Sequence, residues 1–301
     1  MIKRRDFLKS SALIAGTPFL ANIMSAKNPS TQLAVSSITW GGNDLQAIKE
    51  IASLGYKGIQ LRANTYKEFG DRPEVLAKAL KDAGLKLVMY SSGNVEIAKE
   101  KRAASIEQHV NHAKFVKALG GPAIQLTNGL RREQPNPSKE DLQELAKVMN
   151  EIGDQCAEFG MMAAYHNHMH QWGETPWEVD ILIKEMNNKN LRLELDVAHY
   201  FQGGGDPAKA VRDYKDYLYA VHLKDVRRPH PKRPNEDGSY QFVELGEGLV
   251  NLEEVFQELN NLKFKGWGIV ELDGVPDQSK SPLECHKISK DFLSKDIGYK
   301  F

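Results

Sequence analysis

Short apolar runs alternate with longer segments of helical period from residue 33 onward. Eight runs have the length and composition of strands, and most are followed by a segment whose apolar residues recur every three to four positions. This order of β-then-α units predicts a parallel (β/α)8 TIM barrel, whose usual length is about 250 residues. The predicted strands span residues 33–40, 58–62, 85–92, 123–129, 161–168, 191–199, 218–225 and 266–274, and the helical segments include 44–55, 73–84, 103–120, 138–160 and 251–262.

Polar residues interrupt several predicted strands at every second position. In IQLR, IQLT, LELD, VHLK and VELD the polar residues share one face, because side chains alternate along a strand. The apolar face would pack against the helices and the polar face would point into the barrel. Burying polar groups costs on the order of several kcal/mol each unless they are paired or bind something, so the pattern predicts a functional site in the barrel. The inward set is Gln60, Arg62, Gln125, Thr127, His166, His168, Glu194, Asp196, His222, Lys224, Glu271 and Asp273.

Four of these inward residues stand near the carboxyl ends of successive strands and carry atoms that bind metals. A barrel brings such strand ends together at one face. Nitrogen and carboxylate donors in this mix suit Mn²⁺, Zn²⁺, Co²⁺ or Fe²⁺ better than Mg²⁺ or Ca²⁺. We therefore predict one divalent metal ion, held by His166, Asp196, His222 and Glu271.

The segment between the last two predicted strands, RRPHPKRPNEDGSYQFVELGEG, is longer than a bare connection. Its glycines and its position favour a lid or substrate loop over a disordered insertion. Trp40, at a predicted strand end, is a candidate for stacking on a sugar ring. Lys224 and Arg228 are candidates to receive a phosphate, a carboxylate or an enediolate oxygen. His168 is either a general base, a group supporting the ligands, or a loop histidine, whereas His170 is predicted to be an exposed loop residue.

Charge and composition narrow the class of partner. Lys plus Arg equal Asp plus Glu at 40 each, so the net charge of zero offers no electrostatic footprint for nucleic acid. A small neutral or locally charged molecule is the expected ligand. Cys156 and Cys285 are compatible with free thiols or with one disulfide. The barrel sequence predicts no stable membrane span, and it leaves a homo-oligomer open.

The first 26 residues differ from the rest of the chain. They begin with basic residues, including the pair Arg4 and Arg5, and continue with a modestly apolar stretch that ends in small residues. This pattern resembles a twin-arginine export signal. The alternative, a basic amphipathic helix, is weakened by a glycine and a proline in the stretch. We predict a signal peptide over residues 1–26, and a barrel domain over residues 27–301 that works in the periplasm.

The order of strand-end motifs resembles the sugar phosphate isomerase/epimerase family, whose members are xylose isomerase-like barrels. The motifs are YHNH, LDVAH, VHLKDVRR, LGEGLVN and IVELDG, and the resemblance covers residues 33 to about 295. It implies one divalent metal held by glutamate, aspartate, histidine and glutamate on the last four strands. His166 stands where the family usually has the first glutamate. Glu194 is an alternative ligand on the sixth strand, but the spacing of Asp196 and His199 favours Asp196.

The resemblance implies a metal-dependent isomerase or epimerase acting on a sugar or keto-sugar through a metal-stabilised enediolate. Its epimerases use the first and last glutamates as a pair of acid-base groups. Because His166 leaves only Glu271 of that pair, His168, His199 or Lys224 would supply the second group, and His199 would also contact the substrate. The first alternative is a lyase or hydratase on a 3-keto-sugar type of substrate. The second, from another class, is a non-catalytic periplasmic sugar-binding protein with a structural metal.

Overall fold

The structure is a computed structural model that describes residues 31–130 and 136–301. Within these residues, eight parallel strands close into a barrel, with each strand beside the next and the last beside the first. The predicted (β/α)8 barrel is confirmed. The barrel strands are β1 (Gln32–Ser36), β2 (Gly58–Arg62), β3 (Lys86–Val95), β4 (Ala123–Asn128), β5 (Met162–His166), β6 (Leu191–Asp196), β7 (Leu218–Leu223) and β10 (Trp267–Val270).

The helices pack against the outward side chains of the strands. Ser138 and Ser281 begin two of them with capping boxes, in which each serine side chain and the third helical residue satisfy free backbone N–H groups. The main apolar core joins strand residues such as Leu193 and Val221 to helix residues such as Leu142. The helices are α1 (Asp44–Ser53), α2 (Ala63–Phe69), α3 (Pro73–Ala83), α4 (Lys99–Ala118), α5 (Lys139–Ala157), α6 (Pro176–Glu185), α7 (Val197–Gln202), α8 (Pro207–Asp213), α9 (Leu252–Asn261) and α10 (Pro282–Lys295).

Several predicted strands continue too far along the chain, because the strands predicted over 33–40, 161–168, 191–199 and 266–274 end at Ser36, His166, Asp196 and Val270. The first and third of these show why. Residues Ser37–Trp40 form a 3-10 helix after β1. β6 ends at Asp196 because this side chain accepts the backbone N–H groups of Ala198 and His199 and so caps α7. The strand prediction at these two places was wrong because a capping side chain or a tight turn stops a strand without changing its polar alternation.

The barrel interior has an apolar floor and a polar upper part. The floor contains small and apolar side chains. Above it, the amide of Gln60 donates to Gln125 across the barrel at 2.7 Å, and both side chains are buried. These two buried amides thus satisfy each other in part, as burial of polar groups requires. The floor residues are Ala34, Val88, Met89, Ala123, Ala164, Ala220 and Ile269.

The long connection after β7 is an ordered cover over this interior. It contains an antiparallel hairpin of β8 (Asp225–Arg227) and β9 (Gln241–Val243). The ring of Phe242 lies 4.3 Å from Lys224 Nζ and 5.2 Å from the ring of His199. This position fits the lid or substrate loop predicted for the segment, and it excludes the disordered insertion for its described residues.

The predicted export signal over residues 1–26 lies outside the described residues, so the signal and the periplasmic location stay predictions. Residues 131–135 also lie outside them. In the part of the chain that is described, no helix has the length and apolar character needed to cross a membrane. Cys156 and Cys285 are both buried free thiols. Of the two alternatives that the sequence left open, free thiols or one disulfide, the structure has the free thiols.

Candidate metal centre

Four side chains converge at the carboxyl ends of β5, β6, β7 and β10. One ligand atom of each lies within 4.8 Å of those of the other three. His166 Nε2 is 3.0 Å from His222 Nδ1 and 3.4 Å from Asp196 Oδ2, and His222 Nδ1 is 2.9 Å from Glu271 Oε2. All four residues are between 0 and 7 % exposed. The structure therefore brings together the four residues that the sequence selected as metal ligands.

The carboxylate of Asp196 shows that this cluster fits a cation. Its Oδ1 atom accepts the two N–H groups that begin α7. Its Oδ2 atom is buried and accepts no hydrogen bond from any described residue. Such an oxygen is costly to bury unless a cation or a donor satisfies it. Two imidazole nitrogens and two carboxylates are a donor set for Mn²⁺, Zn²⁺, Co²⁺ or Fe²⁺, so the residues fit the predicted divalent metal.

Glu194, the alternative ligand on β6, lies on the other side of the His222 ring. Its Oε1 atom is 3.1 Å from His222 Nε2, and Gln60 Oε1 is 2.9 Å from the same nitrogen. The Nδ1 atom of this ring is the one that faces Glu271 and Asp196. Asp196 is therefore the β6 residue in the cluster, as the spacing of LDVAH predicts.

Lys224 is a buried cation beside the cluster. Its Nζ atom is 2.7 Å from Asp273 Oδ1, 3.2 Å from His199 Nε2 and 3.3 Å from Glu271 Oε2. Burial would lower the pKa of this ammonium group, but the carboxylates of Asp273, Glu271 and Asp196 outweigh burial and raise the pKa above its usual value. Lys224 is thus a fixed positive charge and a hydrogen-bond donor at neutral pH.

The two carboxylates of the cluster are ionised at neutral pH. Burial alone would raise their pKa values. For Asp196 the neighbouring His199 and Lys224 outweigh burial, and for Glu271 the neighbouring His222 and Lys224 do so, which holds both pKa values well below the usual range. Metal ligands must be deprotonated, so both groups are ready to bind a cation.

His168 and His199 form a close, tilted pair of rings beside the cluster, with ring centroids 3.9 Å apart. His168 Nδ1 lies 2.7 Å from the Met169 carbonyl oxygen and donates its proton there, so in the neutral ring Nε2 carries a lone pair. Burial, with the charges of His166 and Lys224, lowers the pKa of His168 to about 4. Burial also lowers the pKa of His199 well below its usual value. The structure places both predicted residues next to the cluster in neutral form.

Trp40 and Arg228, both predicted to bind substrate, have their observed contacts outside the four-residue cluster. Trp40 is only 7 % exposed, its indole N–H donates to Glu50, and its ring stacks on His286. The prediction that Trp40 stacks on a sugar gains no support, because the ring is buried in the core with these partners. Arg228 is exposed, and its guanidinium lies over the ring of Phe201 at 5.0 Å, near the start of the long loop.

Lys224 and His170 lie where the sequence predicts. Lys224 faces the interior as the alternation predicts. His170 is exposed in a turn with positive φ and contacts only the rim aromatic Tyr240 among the rings described, so the prediction of an exposed loop residue is confirmed.

Asp225 anchors the glycine-rich end of the long loop, and sequence reasoning missed it. Its carboxylate accepts backbone N–H groups from the loop at 2.8 to 3.1 Å. A Cβ atom at Gly248 would lie 2.1 Å from Asp225 Oδ1, so only glycine fits this approach. The motifs VHLKD and LGEGLVN contain both partners, but nothing in their pattern shows that they meet. The donors are Val226, Gly246, Gly248 and Val250.

Comparison with known proteins identifies relatives along most of the chain. Residues 48–289 match the family described as xylose isomerase-like TIM barrel. The inosose dehydratase of Klebsiella pneumoniae (strain 342) is 27 % identical over 299 residues, covering 89 % of this chain and 98 % of the relative. The inosose dehydratase of Glaesserella parasuis serovar 5 (strain SH0165) is 28 % identical over 308 residues, covering 91 % of this chain and all of the relative, at 100 %.

Solved structures share the fold at lower identity. The probable 3-DHS dehydratase AsbF from Bacillus anthracis has a TM-score of 0.74 at 18 % identity, covering 88 % of this chain and 99 % of that one. The IOLI protein with a binding zinc atom also has a TM-score of 0.74, at 17 % identity, covering 89 % of this chain and 98 % of that one. Because the family match covers residues 48–289, which is well over half of the chain, the chain belongs to the xylose isomerase-like TIM barrel family.

Proposed function

We propose that this protein is a metal-dependent lyase that removes water from a keto-sugar or a keto-cyclitol. The observation that carries the proposal is the buried cluster of His166, Asp196, His222 and Glu271 beside the neutral His168 and His199 pair. Relatives that match over almost their full length are named inosose dehydratases, which supports dehydration over the isomerisation that the sequence predicts first.

The four clustered residues would hold the metal. When bound, a divalent ion there supplies a Lewis acid that polarises the ketone of the substrate. The two carboxylates balance its double charge, because His166 adds no charge where the family usually has a glutamate. A less negative ligand set leaves the ion a stronger Lewis acid, which favours loss of a proton from the carbon beside the ketone.

His168 is the group we assign to the proton transfer. Its Nδ1 proton is engaged with the Met169 carbonyl, so Nε2 is free to accept a proton from the substrate carbon. The electrons of the broken C–H bond form a carbon–carbon double bond, and the C–O bond on the next carbon breaks. His168 returns the same proton to the departing hydroxyl group, which leaves as water. The products are an unsaturated ketone and water, and the enzyme is unchanged.

Lys224 is the group we assign to the developing negative charge on the substrate. Its buried ammonium donates hydrogen bonds to Asp273 and Glu271 and lies beside His199, so its position is fixed. A preorganised donor of this kind stabilises an oxygen that becomes negative during proton removal. Phe242 covers the ammonium and limits the access of water to it.

The ligand set also favours elimination over epimerisation. Epimerisation needs acid-base groups on both faces of one carbon, and His166 takes the place of one of the two glutamates that the family uses. A dehydration in which one group removes and returns the proton needs only one such residue. His168 is sufficient for that scheme.

The test is incubation of the metal-loaded protein with keto-sugars and with inosose in D₂O. Dehydration yields a product that has lost one water, with the ultraviolet absorption of an unsaturated ketone. Isomerisation yields deuterium incorporation without loss of water. His168→Gln should bind metal normally but lose most of the dehydration, whereas His170→Gln, a change at an exposed histidine nearby, should keep both. Metal and sugar binding with neither deuterium exchange nor product would favour the non-catalytic binding protein.

The cellular location remains a separate proposal. We propose that residues 1–26 direct export by the twin-arginine route, on the basis of the paired arginines and the apolar stretch. Replacing Arg4 and Arg5 by lysine in a tagged chain should retain the protein in the cytoplasm. Export of that variant at the normal rate would contradict the proposal.

A further inference from the structure

Two buried acceptors lie behind His222, on the side away from the metal cluster. Gln60 Oε1 is 2.9 Å and Glu194 Oε1 is 3.1 Å from His222 Nε2. All three residues are completely buried, at 0 % exposed. Oxygen acceptors at these distances require a proton on Nε2. With the proton kept on Nε2, Nδ1 is the nitrogen left to bind a metal, and Nδ1 is the atom that faces the cluster.

Gln60 and Glu194 differ in how strongly they favour the His222 tautomer that has its proton on Nε2. Gln60 Nε2 donates to Gln125 Oε1 at 2.7 Å, which turns Gln60 Oε1 toward His222. A rotated amide would place its NH₂ group there instead and would support the opposite tautomer. The two oxygens of the Glu194 carboxylate cannot be exchanged for an NH₂ group by rotation, so this side chain supports the Nε2–H form. Glu194 is the group of the two that discriminates between the tautomers.

We propose that Glu194 is a positioning residue that keeps the proton of His222 on Nε2 and so aims Nδ1 at the metal. Neither oxygen of the buried Glu194 carboxylate has another hydrogen-bond partner among residues 31–130 and 136–301, and His222 Nε2 lies 3.1 Å from its Oε1 atom. A buried carboxylate without a partner is strongly unfavourable, so ring and carboxylate hold each other in place. Groups that orient a ligating histidine in this way commonly raise metal affinity.

His166 provides an internal contrast. Its Nε2 atom faces the cluster, but its buried Nδ1 atom has no hydrogen-bond partner in the described residues. The two histidine ligands are therefore supported unequally, with His222 fixed from behind and His166 not. Glu194 precedes Asp196 by two residues on β6, so one strand supplies both a ligand and the support of the ligand on the next strand.

This inference rests on the metal part of the proposed function, and its test measures metal binding and a ring proton without any substrate. Zn²⁺ affinity is measured by chelator competition for the wild type and for Glu194→Gln. We expect a loss of about 10- to 100-fold in the variant. Glu178→Gln is the matched control, because it neutralises another buried carboxylate, at the start of α6, that accepts the N–H groups of Gly173 and Glu174. The control should bind Zn²⁺ as the wild type does.

The tautomer is measured directly by ¹⁵N NMR of the histidine rings in the Zn²⁺-loaded wild type, with the His222 signals assigned through a His222→Gln variant. A proton on Nε2 is the expected result, and this measurement stays informative if Glu194→Gln fails to fold. A proton on Nδ1, or unchanged Zn²⁺ affinity in a folded Glu194→Gln, would overturn the role of Glu194 alone. A wild type that binds no divalent metal would overturn the proposed function as well.

Discussion

His166 Nε2 and His222 Nδ1 lie 3.0 Å apart, and each is within 3.6 Å of Asp196 Oδ2. Two ring nitrogens with lone pairs and a carboxylate oxygen repel one another at such distances unless a proton or a cation lies among them. The separation of these two nitrogens is therefore the feature of the barrel that a bound metal would stabilise most directly.

Replacing His166 removes one ligand without disturbing a strand interior. We expect His166→Ala to lower the affinity for Mn²⁺ or Zn²⁺ at least tenfold, because the donor set would lose one of its four members. Metal content per chain, measured by elemental analysis after gel filtration, checks this. His170→Ala is the matched control, since His170 is exposed in the turn that follows β5. Equal metal content in both variants would remove His166 from the ligand set.

The two carboxylate oxygens of Asp196 have different roles, because one caps α7 and the other faces the cluster. Asp196→Asn keeps a good capping acceptor but loses the charge. A metal at 100 times its Kd stabilises the wild type by about 2.7 kcal/mol, and we expect this metal-dependent rise in Tm to vanish in the variant. Thermal unfolding with and without Mn²⁺ measures it.

The control for this substitution is Asp206→Asn, which changes another aspartate that caps a helix, α8, through the N–H of Lys209. It should keep the full rise in Tm on addition of Mn²⁺. An Asp196→Asn variant that is still stabilised by the metal to the wild-type extent would show that the carboxylate charge is dispensable for binding.

Buried histidines outside the site should make the fold sensitive to acid. Burial lowers the pKa of His109 to about 4 and that of His286 to about 3, from an unfolded value near 6.5. Between these pKa values the two rings bind protons in the unfolded chain but not in the folded chain. Their contribution to the free energy of unfolding is therefore full above about pH 6.5 and falls as the pH is lowered. Each ring contributes a slope on the order of 1.4 kcal/mol per pH unit.

Urea unfolding at pH 7, 6 and 5 measures this slope. In His286→Gln the amide is able to replace the hydrogen bond that His286 shares with Thr39 Oγ1, and no proton is taken up in this range. We expect a shallower acid slope for this variant than for the wild type. An identical slope would show that His286 binds its proton equally in both states.

Asp225 should control the order of the long loop. In Asp225→Asn one oxygen becomes an NH₂ group that faces backbone N–H donors, so two of the loop hydrogen bonds are lost. We expect a loss of roughly 1–3 kcal/mol in the free energy of unfolding. Hydrogen exchange of the amides from Gly246 to Val250 should rise in parallel. Asp237→Asn, an exposed change in the same loop, should alter neither quantity.

The period of the sequence determined the number of strands, which side chains face inward, and the four residues that meet at the metal centre. These features follow from local geometry, because a strand alternates its side chains and a parallel barrel gathers the carboxyl ends of its strands. Two of the strand ends that it missed depend on the cap at Asp196 and the turn at Ser37–Trp40, which alternation does not record.

Tertiary structure alone decided which contacts those residues make. The register between β6 and β7 sets Asp196 beside His222, and the packing of the ring then puts Glu194 against Nε2 rather than among the ligands. Trp40 turns into the core toward His286, and Asp225 meets a loop more than 20 residues further along the chain. Such contacts depend on strand register and on which face of a ring is presented. A one-dimensional pattern contains neither, because both arise only when distant segments pack together.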